Sequence, residues 1–229
     1  MRINLFGNLR ITVEGRPVTA VNTNRLHSLI AYLILNGDTP QPRERLAFLL
    51  WPGSSESQAR TNLRQLIHNL KRALPAECDV LATDHSSVRW RQDVPCAIDV
   101  VDFQAAIAES AAARTGKDRS REMQSLTSAA QLYEDDLLPA LYDDWLAPLR
   151  DDYRRRMAGV LHRLAMLFEE QEEYAAAIPC AERLIALDAL CESNHQLLIR
   201  LHAANQDRAS ALRAYHQCMR VLRRELAVD

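Results

Sequence analysis

The chain of 229 residues is 48% hydrophobic and 25% charged, with only 6 Gly and 9 Pro, which excludes fibrous, low-complexity and disordered classes and suits one or two globular cores. Its 28 Lys and Arg against 30 Asp and Glu give a formal net charge of −2, so bulk charge selects no partner. There is no apolar run of the roughly 18 residues a membrane helix needs, no secretory h-region at the N-terminus, and no CxxC pair among the five Cys; reduced thiols, a cytoplasmic location and no membrane contact are expected.

Residues 1–21 alternate in polarity, with Ile3, Leu5, Leu9, Ile11, Val13 and Val18 apolar and a turn at Glu14-Gly15. This period of two predicts short antiparallel strands. From Asn24 the period becomes helical through Leu26, Leu29, Ile30 and Leu33, with Asn36-Gly37 as the stop. A second, short helix is expected to take Pro42 as its first residue, run through Leu46, Leu49 and Leu50, and end at Trp51-Pro52-Gly53.

The third helix has the clearest start, because Ser55 and Gln58 stand in capping-box spacing before a long periodic run. Ala59, Leu63, Leu66, Ile67, Leu70 and Leu74 form its apolar stripe, while Thr61, Arg64, Gln65, His68 and Arg72 share the opposite side. After Pro75, strands are expected at Val80-Leu81-Ala82 and Val88-Arg89-Trp90-Arg91, joined by Asp84-His85-Ser86-Ser87. Strands, three helices and a terminal hairpin make a winged helix-turn-helix order.

From Asp102 onward the pattern is helical, interrupted by a charged linker near 114–121 and a break at Leu138-Pro139. Residues 34 apart match: Leu164 with Leu198, Leu167 with Leu201, Ala177 with Ala211, Ile178 with Leu212. That period is the tetratricopeptide signature, and helices near residues 122–150 would supply a third stacking layer. The expected fold is therefore mainly α: an α+β winged domain over residues 1–100 and an all-α, tetratricopeptide-like domain over residues 101–229.

Charge is unevenly placed along the chain. Residues 1–100 hold 12 basic and 9 acidic side chains, whereas residues 101–229 hold 16 and 21. Ser57 to Ala76 contains no acid at all, yet carries Arg60, Arg64, His68, Lys71 and Arg72. Such a helix suits the DNA major groove, where Arg grips guanine and Gln grips adenine with two hydrogen bonds each. Arg64, Gln65 and His68 are assigned to base edges, and Arg60, Thr61, Lys71 and Arg72 to phosphates, which fix register without reading sequence. In the hairpin, His85, Ser86, Ser87 and Arg89 are assigned to the adjacent backbone or minor groove.

The remaining constellations are weak. Cys191, His195 and His202 fall at i, i+4 and i+11 but lack a matching carboxylate or second Cys, so no metal is expected. Cys180 and Cys218 read as packing thiols, and Trp51, Trp90 and Trp145 as packing aromatics. Scattered Gly, with no phosphate loop and no GxSxG motif, leave neither cofactor nor catalytic centre, so an enzyme is not expected.

Leu5-Phe6-Gly7-Asn8-Leu9-Arg10-Ile11-Thr12-Val13-Glu14-Gly15-Arg16-Pro17-Val18, Leu50-Trp51-Pro52 and Asn62-Leu63-Arg64-Gln65-Leu66 resemble the OmpR-like winged-helix domain of SARP-type bacterial regulators. Asp136-Leu137-Leu138-Pro139, Tyr142-Asp143-Asp144-Trp145 and Ala211-Leu212-Arg213-Ala214-Tyr215 resemble the bacterial transcriptional activator domain (BTAD) that follows it there. The resemblance implies a transcriptional activator that binds repeated promoter sites in double-stranded DNA as a homodimer and contacts RNA polymerase through its helical domain. Two departures stand out: Glu134-Asp135-Asp136 replaces an Arg-Gly-Asp-like stretch, and the chain stops at Glu225-Leu226-Ala227-Val228-Asp229, where members usually continue into a Pro-containing helical segment. A shortened protein or the N-terminal part of a larger signalling regulator is expected from the second. The alternative from another class is a protein-interaction scaffold with a peptide-binding repeat surface.

Overall fold

The computed structural model describes residues 1–37, 39–75 and 78–226. Ala76, the end of the acid-free stretch, and Ala227-Val228-Asp229 lie outside the described residues. The fold is mainly α and divides into two compact units, Met1–Val101 with Leu137–Ala147, and Asp102–Asp136 with Pro148–Asp229.

In the first unit, β1 (Arg2–Asn4), β2 (Arg10–Val13) and β3 (Arg16–Pro17) form an antiparallel meander. Ile3 faces Ile11 in register, and both are buried. Glu14 and Gly15 both have positive φ, +49° and +77°, the backbone a two-residue hairpin turn of the right twist requires. Further along the chain, β7 (Ala97–Ile98) joins this sheet parallel to β1, giving the order β3-β2-β1-β7. Periodicity does not reveal so short a strand. It is followed by Asp99, whose buried carboxylate accepts from the backbone N–H groups of Leu5 (2.8 Å), Phe6 (2.9 Å) and Val100 (2.8 Å). Burial outweighs these bonds and raises the pKa of Asp99 above its usual value.

α1 (Asn24–Leu35) is capped by Thr23, whose hydroxyl accepts from Leu26 N–H at 3.3 Å, and it buries the expected Leu26, Leu29, Ile30 and Leu33. α2 spans Arg43–Leu50. The sequence expectation placed Pro42 inside this helix; instead Pro42 is extended, at φ −58° and ψ 134°, and Gln41–Pro42 form strand β4. The cause is tertiary: Gln41 pairs with Val88 and Pro42 with Ser87, and a strand edge tolerates a residue with no N–H to donate.

α3 (Glu56–Ala73) begins at Ser55, whose hydroxyl accepts from Gln58 N–H. Gln58 does not close the reciprocal half of a capping box, because its amide donates to Asn62 Oδ1 at 2.8 Å. β5 (Leu81–Thr83) and β6 (Ser87–Trp90) complete a second sheet of order β4-β6-β5, with Val88 and Trp90 facing the core.

The second unit takes in most of α4 (Asp99–Thr115), then α5 (Arg119–Leu132), α6 (Ala147–Glu170), α7 (Tyr174–Leu187), α8 (Glu192–Ala204) and α9 (Arg208–Leu226). Leu164, Leu167, Leu198 and Leu201 are all buried, in the 34-residue register. The register weakens at its second pair of helices: Ala177 is fully buried but Ala211 only half-buried, and the half-buried Ile178 is matched by the exposed Leu212. Of the segment expected to supply a third layer, α5 is helical and is tied to α6 by the Arg163 guanidinium, which grips the buried Glu122 carboxylate at 2.8 and 3.0 Å. This holds the carboxyl of Glu122 below its usual range. In the loop after α5, Asp136 accepts from Tyr133 Oη at 2.9 Å and from both Nε (2.7 Å) and Nη2 of Arg154. Three bonds from the Arg183 guanidinium, two to the carbonyl of Ala130 and one to that of Tyr133, close the C-terminus of α5.

Candidate nucleic-acid interface

α3 buries Ala59, Leu63, Leu66, Ile67 and Leu70, and that burial fixes which side the helix turns outward. Arg60, Thr61, Arg64, Gln65, His68, Lys71 and Arg72 are all exposed. One helix therefore brings these seven residues onto one surface. Their present engagements divide them into two groups.

Arg64, His68 and Arg72 have no hydrogen-bond or ion-pair partner among the described residues. Their side chains carry donors that a phosphate or a base edge can satisfy. The other four are engaged. Thr61 donates to its own helix at Ser57 O (3.0 Å), Gln65 donates to Asn69 Oδ1 (2.8 Å), and Lys71 reaches across to Thr83 Oγ1 on β5 (3.1 Å). Arg60, assigned to phosphate from sequence, is held between two carboxylates, Glu44 of α2 and Glu56 one turn earlier. Sequence spacing reveals the i, i+4 partner Glu56. It does not reveal Glu44, which comes from another helix.

The turn between β5 and β6 is organised by Asp84. Its carboxylate accepts from Ser86 N–H (2.7 Å), Ser86 Oγ (3.0 Å), Ser87 N–H (2.6 Å) and Ser87 Oγ (2.6 Å). The Ser87 hydroxyl leads these bonds in holding the carboxyl of Asp84 far below its usual range. Ser86 and Ser87 thus spend their hydroxyl protons on shaping the turn. His85 and Arg89 are left exposed, with Arg89 feeling the charge of Asp93.

Between α3 and this turn runs a groove of about 770 Å³ lined by Arg43, Arg60, Arg64 and His85, with Glu44 and Asp84 opposing them. Arg43, which sequence reasoning missed, anchors the turn to the start of α2. Its N–H donates to Ser86 O at 2.9 Å and its Nε to Asp84 O at 3.0 Å. Only its place after Pro42 could have signalled it.

The aromatic residues sit where packing uses them. Trp90 is buried, and Trp51 closes α2 with the Arg25 guanidinium 5.9 Å from its ring centroid. In the second unit, His195 Nε2 lies 2.9 Å from Ala189 O and Cys191 Sγ 3.2 Å from Ser193 Oγ. Among the described residues no group of three or more His, Cys, Asp or Glu is arranged to hold a metal ion, and no helix is long and apolar enough to cross a membrane.

Comparison with known proteins adds three findings. Residues 98–229 match the family described as the bacterial transcriptional activator domain. The chain is 24% identical over its whole length to the transcriptional regulatory protein MoaR1 of Mycobacterium bovis (strain BCG / Pasteur 1173P2), and equally to that of Mycobacterium tuberculosis (strain ATCC 25618 / H37Rv), covering 75% of each. Its fold is similar to that of Mycobacterium tuberculosis EmbR, solved in complex with a low-affinity phosphopeptide, with a TM-score of 0.79 at 23% identity. All of this chain is covered in that comparison, and it spans 61% of the EmbR chain.

Proposed function

Because the chain belongs to the bacterial transcriptional activator domain family and is a transcriptional regulator of the SARP type, we propose that it binds promoter DNA sequence-specifically through residues 1–100 and activates transcription through contacts made by residues 101–229. The observation that carries this reading is the outward face of α3, where Arg64, His68 and Arg72 stand exposed and unpaired beside Gln65. Arg64, Gln65 and His68 read base edges in the major groove, Arg60, Thr61, Lys71 and Arg72 meet phosphates, and His85, Ser86, Ser87 and Arg89 of the turn meet the flanking backbone or minor groove. Repeated sites engage two copies of the chain on the DNA, and RNA polymerase is the partner of the helical unit. The protein acts in the cytoplasm and catalyses no reaction.

The test is selection from a pool of genomic fragments followed by a salt series on the enriched site. Each neutralised phosphate is expected to contribute about −0.9 to the slope of log affinity on log salt. Changing Arg64 and Gln65 together to Ala should reduce discrimination by roughly 2–6 kcal/mol, at about 1–3 for each bidentate pair, with helix content unchanged. If no site is enriched and affinity hardly responds to salt, the reading fails and a peptide-binding scaffold replaces it.

A further inference from the structure

Helix α9, the last described helix, carries an apolar face that nothing covers among the described residues. Ala181 of α7 is fully buried, whereas Tyr215, 34 positions later, is 48% exposed. Leu212, the equivalent of the half-buried Ile178, is 61% exposed. With Met219 these side chains make a stripe at i, i+3 and i+7, the spacing with which a helix presents one face to a neighbour.

The charge around this stripe has one sign. From Arg208 to Arg224 the helix holds five Arg and no acid, while residues 101–207 hold 11 Lys and Arg against 19 Asp and Glu. Arg213 and Arg220 bond only to neutral acceptors, Ser210 Oγ at 2.7 Å and Gln217 Oε1 at 2.6 Å. Arg213 feels the carboxylate of Asp207 without forming an ion pair with it, and neither Arg220 nor Arg223 has an ion-pair partner among the described residues.

We propose that the Leu212–Tyr215–Met219 face docks an acidic amphipathic helix of a protein partner, its apolar side on that stripe and its carboxylates on Arg213, Arg220 and Arg223. The complementary charge selects this occupant. A symmetric pairing of α9 with α9 of a second copy would bring five Arg toward five, a like-charge juxtaposition that interfaces avoid. The inference rests on the partner-contact half of the proposed function and is independent of the DNA half.

The experiment uses the full chain and two synthetic helical peptides of about 18 residues with the same Leu spacing, one flanked by Glu and the other by Lys. Fluorescence anisotropy should show the Glu peptide binding at least about tenfold more tightly than the Lys peptide, with the preference shrinking as salt rises. Leu212→Glu with Tyr215→Glu, both at exposed sites, should cost about tenfold or more, and Arg213→Glu with Arg220→Glu should reverse the peptide preference. Circular dichroism checks that each variant stays folded. Equal affinity for the two peptides, no binding of the Glu peptide, or binding indifferent to the Leu212 and Tyr215 changes overturns the proposal. So does dimerisation that those two changes abolish in sedimentation velocity, which would make a second copy the occupant. If the Arg pair instead lowered the salt slope of DNA binding, α9 would be a phosphate contact and the proposal would fall while the regulator reading stood.

Discussion

Glu44→Gln should make the protein bind DNA more tightly. Arg60 lies at the groove between α3 and the β5–β6 turn, yet its guanidinium is shared by Glu44 and Glu56, 2.6 Å from the latter. Its side chain is 49% exposed and those of the two acids 74% and 75%. Solvent therefore screens both pairs, and each contributes about 0.2–1 kcal/mol. A phosphate must displace that hold before Arg60 can serve it. Removing the Glu44 charge lowers the competition by up to about 1 kcal/mol, roughly two- to five-fold in affinity, on specific and scrambled duplexes alike, because phosphate contacts do not read sequence. Anisotropy titrations over a salt series measure both quantities. Where Arg60 stays with its carboxylates in the wild-type complex, the variant should also steepen the salt slope by about 0.9. Arg60→Ala should then cost little in the wild type and erase the gain in the Glu44→Gln background, a non-additive cycle. Unchanged or weaker binding by Glu44→Gln, with the thermal midpoint preserved, would refute the reasoning.

Three further outcomes are expected. Asp99→Ala strips the acceptor from the N–H groups of Leu5, Phe6 and Val100, partly offset by relief of a buried charge; a loss of about 2–4 kcal/mol is expected in urea unfolding, and a loss below about 1 would mean that water replaces the carboxylate. The carboxyls of Glu122 and Asp136 are held below their usual range by Arg163 and Arg154. Their stabilisation is thus present above the unfolded pKa and lost as pH falls through the folded one, so urea midpoints should drop between about pH 5 and pH 2, and less so in Arg163→Met. Ser55→Ala removes the α3 cap and should cost about 1 kcal/mol, read as a lower thermal midpoint with DNA specificity unchanged.

The parts of the fold that sequence made legible are those set by local periodicity. The α3 stripe from Ala59 to Leu70, its start at Ser55 and the inward Trp90 and Val88 all follow from spacing and residue type. What stayed hidden is set by distant chain. Pro42 lies outside α2 because Gln41 pairs with Val88. The strand at Ala97–Ile98 exists because β1 offers it an edge. At the candidate interface, spacing put Thr61, Arg64, Gln65, His68 and Arg72 on one exposed face, but it could not show that Glu44 had claimed Arg60 or that Asp84 had claimed the two serine hydroxyls.

The segment Leu137–Ala147, which returns to the first unit, makes that unit discontinuous in the chain. Leu138 N–H donates to Leu5 O at 3.0 Å, the Ser28 hydroxyl donates to Asp143 at 2.5 Å, and Trp145 stacks edge-on against Tyr32 with centroids 5.1 Å apart. During synthesis, then, a ribosome that has released residues 1–101 has not yet released everything their core requires. α1 waits for residue 145 while α4 and α5 are already in the open. The first unit matures only after much of the helical chain has emerged, so a premature stop or a proteolytic cut near residue 101 would leave a fragment with helix α3 intact and the flank of α1 bare.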